Sequence, residues 1–233
     1  MIKGSEQFKY ESNLKKIRDY FFNCQWYEVY DFLEFMVGYT ITLKTESYCE
    51  APEYNHEINK EFINACNKIL EEENSAYRFV DNIISPIISE EEISEIERAV
   101  KNNELDKFSP ISIHLKQVLE SLSNRENPDF RNSIKESISA VEALCNLIVG
   151  KKTTLGDCLK KLEQKIDLHP AFKDALNKLY GFTSDANGIR HSLNEIPNLY
   201  SEDARFMLVI CSAFVNYLKS KISKNKSILD KNS

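Results

Sequence analysis

Ile134, Ile138, Val141, Cys145 and Ile148 recur every three or four residues, which sets five apolar side chains along one side of an α-helix. Asn127 opens this stretch as a cap, with Pro128 in the first turn. Gly150 closes it, being the residue type that most readily takes the left-handed conformation at a helix end. A stripe of this length cannot stay wet, so the rest of the chain must supply apolar helix faces to cover it. With only 6 Gly and 6 Pro in 233 residues, sharp turns are few and long helices are expected throughout.

Those helices read out in order. Phe8 to Phe22 and Trp26 to about Leu43 carry aromatic and aliphatic residues at helical spacing, among them Val29, Phe32, Leu33 and Met36. A loop follows from Lys44 to Asn55, then a third helix from about His56 to Glu73 with Ile58, Phe62, Ile63, Cys66, Ile69 and Leu70 on one face. Between Ala76 and Ile88 the pattern changes to two short strands around Asp81-Asn82, a hairpin that reaches Pro86 on a free edge. Ser89 followed by Glu90, Glu91 and Glu92 marks a helix start, and that helix ends near Asn103. Ser109-Pro110 begins another, running to Ser123. Beyond Gly150, Thr153 or Thr154 starts a short helix, Pro170 starts one that reaches Tyr180-Gly181, and Ser201 caps a last helix with Ala204, Met207, Leu208, Cys211, Phe214, Val215 and Leu218. The expected organisation is a helical N-terminal part over 1–108 ending in a hairpin at about 76–88 and a linker helix. A helical bundle over 109–223 and a flexible tail over 224–233 follow.

Charge divides the chain unevenly. Residues 1–110 hold 12 Lys and Arg against 22 Asp and Glu, whereas residues 111–233 hold 18 against 14. Any nucleic acid is therefore expected on the C-terminal half, with Lys151, Lys152, Lys160, Lys161 and Lys165 as phosphate contacts. Lys219, Lys221, Lys224 and Lys226 form a second basic run that also suits the negative end of a helix. The six cysteines are too scattered for zinc or redox spacing and read as free, mostly buried thiols. No two of the four histidines have metal-site spacing, and neither a phosphate-cradling glycine loop nor a serine-hydrolase elbow occurs, so no metal and no cofactor are expected. His56 and His114 read as packed or capping residues, and His169 as the neighbour of a helix start. The opening residues Met1 to Glu6 are too polar for a signal peptide and no apolar run reaches membrane-spanning length, which together lead to an expected cytoplasmic location without a membrane partner.

One segment stands out chemically. In Ser184 to His191, Arg190 sits beside His191 in a polar turn. Histidine moves protons near neutral pH, and arginine offers a permanent planar fork of donors to phosphate oxygens. Together they suit chemistry on a phosphodiester; equally, Gly188 can simply turn the chain, with Arg190 in a salt bridge and His191 capping the next helix. Asp185 and Asn187 either orient the histidine or build the turn. Glu142, on the helix of the apolar stripe, either pairs with a cation such as Arg190 or reaches solvent from the core edge.

The succession Tyr77-Arg78-Phe79-Val80-Asp81, Pro86-Ile87, Glu92-Ile93, Asn127 through Leu144, Thr154-Leu155-Gly156, Leu168-His169-Pro170-Ala171, Leu179-Tyr180-Gly181 and Asp185 through His191 resembles the AbiJ N-terminal domain 4 family, over nearly the whole chain. The resemblance implies a HEPN-type helical bundle of the phage-exclusion systems. It therefore implies an all-α fold with an N-terminal helical subdomain and one inserted β-hairpin. It further implies a homodimer, and metal-independent RNA cleavage in active members or RNA binding in inactive ones. Arg190 and His191 would be the catalytic pair, with Asp185, Asn187 and Glu142 in support. HEPN catalytic residues are usually separated by several positions, whereas here they are adjacent and would point about 100° apart on a helix. The alternative is an inactive dimerising module that holds another defence protein.

Overall fold

The computed structural model describes residues 2–46, 52–104, 106–166, 168–185 and 199–223. Its contacts divide the chain into two compact units, Met1–Cys66 and Asn67–Ser233. Among the described residues the fold is helical with one hairpin, as the sequence reading expects. The unit boundary lies well before residue 108, so the hairpin and the helix after it belong with the C-terminal unit.

The first unit contains α1 (Ile2–Asn23), α2 (Trp26–Glu46) and the start of α3 (Pro52–Glu72). The Glu28 carboxylate accepts the Gln25 amide at 2.6 Å, which satisfies one of the free donors at the start of α2. Phe21 of α1 meets Phe32 of α2 edge to face, with ring centroids 5.1 Å apart. α3 starts inside the loop expected over 44–55, because Pro52 has the fixed φ and missing donor that suit a first helical turn.

The second unit begins with an amide clasp. Asn67 donates from Nδ2 to the Phe79 carbonyl at 3.2 Å and accepts the Phe79 amide at 2.7 Å. This ties the end of α3 to β1 (Arg78–Val80), which pairs antiparallel with β2 (Ile83–Ser85). Asp81 and Asn82 both have positive φ, 50° and 83°, the backbone of a two-residue type I′ turn that these short polar side chains tolerate. β2 ends at Ser85, so Pro86 stands outside the ladder rather than on its edge.

Six helices build the core: α4 (Glu90–Lys101), α5 (Ser109–Ser123), α6 (Phe130–Val149), α7 (Leu155–Lys165), α8 (Pro170–Asp185) and α9 (Ser201–Ser223). α6 lies at the centre and packs against α5, α7, α8 and α9. Its stripe is buried along its full length, Ile134, Cys145 and Ile148 wholly and Ile138 to 2% exposure. Ser89, Thr154 and Gly150 cap as the sequence indicates, with Gly150 at φ 76°. The cap of α6 differs: Asp129 Oδ1 accepts the Asn132 amide at 2.8 Å, while the Asn127 amide is held by Asn124 Oδ1 at 2.9 Å in the preceding turn. Pro128 accounts for the shift, since it disfavours helical backbone at Asn127 and leaves the cap to the next polar residue. At α9 the Tyr200 amide is held by Asp203 Oδ2 at 3.0 Å, and Ser201 is already helical.

By length and apolarity α9 is the one helix among the described residues that meets the dimensions of a membrane span, against the expectation that no segment would. Met207, Leu208, Cys211, Val215 and Leu218 are nevertheless buried within the bundle core.

Candidate functional site

The expected catalytic turn falls largely beyond what the structure describes: Asn187, Arg190 and His191 lie outside the described residues. Asp185 does not belong to a turn, since α8 continues through Gly181 and Asp185 is its last residue. The helix carries on because one glycine costs it only about 1 kcal/mol and because Thr183 is fully buried, its hydroxyl donating to the Tyr180 carbonyl at 2.8 Å.

Glu142 is half-buried on α6, where it acts electrostatically on two thiols, Cys145 of α6 and Cys158 of α7. The expected phosphate-binding lysines follow one another from the end of α6 into α7. Lys151 and Lys152 are exposed just past Gly150, Lys160 is exposed with Nζ 3.5 Å from Asp157, and Lys161 is half-buried beside Cys158. Lys165 belongs to the same helix. Lys219, by contrast, is a structural residue: its ammonium donates to the Asn102 carbonyl at the end of α4 and lies 4.1 Å from the centre of the Phe108 ring.

A second constellation appears where sequence reasoning saw only a packed histidine. His114 of α5 has Nδ1 2.6 Å from Oε2 of Glu136 on α6, whose other oxygen lies 2.8 Å from Lys135 Nζ. The Glu136 side chain is 9% exposed and that of His114 32%. Burial raises the Glu136 carboxyl, but the hydrogen bonds from Lys135 and His114 outweigh it and hold the group below its ordinary value. A carboxylate on one imidazole nitrogen fixes ring orientation and leaves the other nitrogen for proton exchange. The available signal was Glu136 itself, set between the buried Ser133 and Ala140 on the core side of α6, where a charge requires a partner.

Because Glu136 is lowered in the folded state, its stabilising effect is present above the ordinary carboxylate pKa and is lost as pH falls through the folded value. Glu136→Gln is expected to cost about 1 to 3 kcal/mol at neutral pH, the range for disrupting a buried charged hydrogen bond. Urea unfolding of both proteins across pH should show the gap closing in acid, below the usual carboxylate range. A gap that persists unchanged at pH 2 would contradict this account.

Residues 3–102 match the family described as AbiJ N-terminal domain 4. Over those residues, which are under half of its length, the chain is similar to an AbiJ N-terminal domain 4. No curated protein and no solved structure matches it.

The AbiJ segment runs from α1 to the end of α4, so the motifs from Asn127 to His191 lie outside the matched residues. Its last helix is amphipathic, with Ile96, Ala99 and Val100 fully buried, and it packs against α5 and α9. The matched segment thus includes a helix that packs against elements beyond the match. The similarity suggests an abortive-infection, antiviral context. Among the described residues no group of three or more His, Cys, Asp or Glu side chains is arranged to hold a metal ion.

Proposed function

We propose that this chain is a cytoplasmic abortive-infection protein whose C-terminal bundle is HEPN-like, binds RNA and cleaves it without metal. The supporting observation is the AbiJ domain at residues 3–102 joined to a helical bundle that carries Lys151, Lys152, Lys160, Lys161 and Lys165 on consecutive segments. These cations would neutralise phosphates and supply sequence-independent affinity. His191 would take the proton of a ribose 2′-hydroxyl or return one to the leaving oxygen, and Arg190 would stabilise charge on the phosphoryl group. Adjacent in sequence, the two residues would serve one phosphate either from an irregular segment or across a homodimer.

A second reading rests on the first unit, where Phe22, Trp26 and Phe35 are more than half exposed. Large aromatic side chains in this state suit a protein interface, so the chain would hold another defence component without cutting RNA.

The deciding experiment incubates purified protein with RNA in EDTA and follows cleavage and binding separately, with sedimentation giving the oligomeric state. Cleavage by a dimer is the expected result. Binding without cleavage would leave the interaction reading, and neither binding nor cleavage would remove RNA from the account.

A further inference from the structure

The helices of the first unit have almost no core among their described side chains: Val37 is the one buried hydrophobic residue. α1 and α2 form a hairpin that turns through Cys24 and Gln25. Asn23 Nδ2 donates to the Asp19 carbonyl at 2.6 Å, and the Cys24 amide donates to the Tyr20 carbonyl at 2.9 Å. Phe32 of α2 meets Tyr20 and Phe21 of α1, with ring centroids 6.4 and 5.1 Å away. Residues 13–20 of α1 are exposed without interruption, which takes in every side of the helix for about two turns. Leu14, Ile17 and Tyr20 lie in that stretch, while Phe22, Trp26 and Phe35 are more than half exposed. Helices draw most of their stability from packing an apolar side, so this hairpin needs cover that the unit does not supply.

Charge indicates which surface fits. Over residues 11–23, α1 carries Lys15, Lys16 and Arg18 against Glu11 and Asp19; over 26–38, α2 carries Glu28, Asp31 and Glu34 and no Lys or Arg. One helix is therefore net cationic and the next anionic within a single hairpin. A two-fold axis can set α1 of one copy against α2 of the other and repeat that contact, so the hairpin is complementary to itself. Two hairpins paired in this way make a four-helix bundle, in which each helix gains a covered side. The area is adequate as well. With Tyr20, Phe22, Trp26 and Phe35 about half exposed, two copies bring roughly 600 to 1,000 Å² of aromatic surface, about half of the ~1,200 to 2,000 Å² that a stable interface buries.

We propose that the α1–α2 hairpin is a homodimer interface, pairing with the same hairpin of a second copy through its exposed aromatic residues and its oppositely charged helices. This deepens the homodimer of the proposed function and rests on that reading for the number of copies, not for RNA cleavage. It assigns to a second copy the aromatic residues that the second reading gives to another defence component.

Sedimentation equilibrium of the full chain tests the interface, with circular dichroism confirming that each variant keeps its helices. The wild type is expected to be a dimer at micromolar concentration. Lys15→Glu with Arg18→Glu makes both helices anionic, and Asp31→Lys with Glu34→Lys makes both cationic. Each double variant alone should dissociate more readily by about tenfold or more, since like charges then meet. An equimolar mixture of the two should associate as the wild type does, a recovery that misfolded variants cannot give. Trp26→Ala, which leaves the charges alone, should weaken the dimer by about 30-fold as the loss of an aromatic anchor. A wild type that stays monomeric at high micromolar concentration would overturn the inference and leave the hairpin to another protein. A dimer that none of these substitutions weakens would also overturn it. RNA cleavage in EDTA, assayed on the same samples, decides the nuclease reading separately: a hairpin dimer that does not cut RNA sustains the interface and removes the nuclease.

Discussion

His191→Ala should lower RNA cleavage by about 10²- to 10⁴-fold and leave RNA binding nearly unchanged, the usual cost of removing a proton-transfer group. Arg190→Ala should reduce both, because a guanidinium would hold the ground-state phosphate as well as the charge that develops during cleavage. Arg190→Lys should restore binding better than rate, since an ammonium keeps the charge but loses the planar fork. Single-turnover kinetics with excess protein separate the two effects. Equal cleavage by wild type and His191→Ala would end the role assigned to that residue, whereas loss of thermal stability in both alanine variants would assign the segment to structure.

Ile138→Ala should destabilise the protein by about 2 to 4 kcal/mol, as measured by urea unfolding. Ile138 is 2% exposed at the middle of α6, which packs against four other helices. Neighbours fixed from several sides cannot collapse into the space left by three carbons, so both the transfer term and the cavity term apply. A loss below about 0.5 kcal/mol, typical of exposed positions, would show that α6 is not the centre of the core.

What could be read beforehand was whatever is decided within a turn or two of chain. The α6 stripe, the Ser89 and Thr154 caps, the Gly150 stop and the Asp81-Asn82 hairpin each depend on residues close in sequence, and each appears where it was read. The misread ends are places where two local signals compete. Asn127 and Asp129 both suit a cap, and Pro128 between them decides in favour of Asp129. Gly181 looks like a stop, yet the buried Thr183 keeps α8 going to Asp185. Long-range placement was less legible. His114 finds Glu136 on a neighbouring helix, Asn146 Oδ1 meets the Cys158 thiol across a turn, and the hairpin and α4 join the C-terminal unit. The candidate site divides in the same way: the basic run through α7 was legible from composition, while the Glu136–His114 pair needed the packing of α5 on α6.

Asn216 of α9 donates to the backbone and side-chain oxygens of Glu95, both at 2.9 Å, and Lys219 reaches Asn102, so α4 is fastened to residues 121 and 117 positions further along. At bacterial and eukaryotic synthesis rates of about 5 to 20 residues per second, that separation leaves α4 waiting roughly 6 to 24 s for its partner to be made. During that interval Ile96, Ala99 and Val100 lack the cover that α9 gives them. A ribosome that halts between the two helices therefore presents a sticky, unfinished bundle to chaperones and proteases, which makes the yield of working protein sensitive to any event that slows translation.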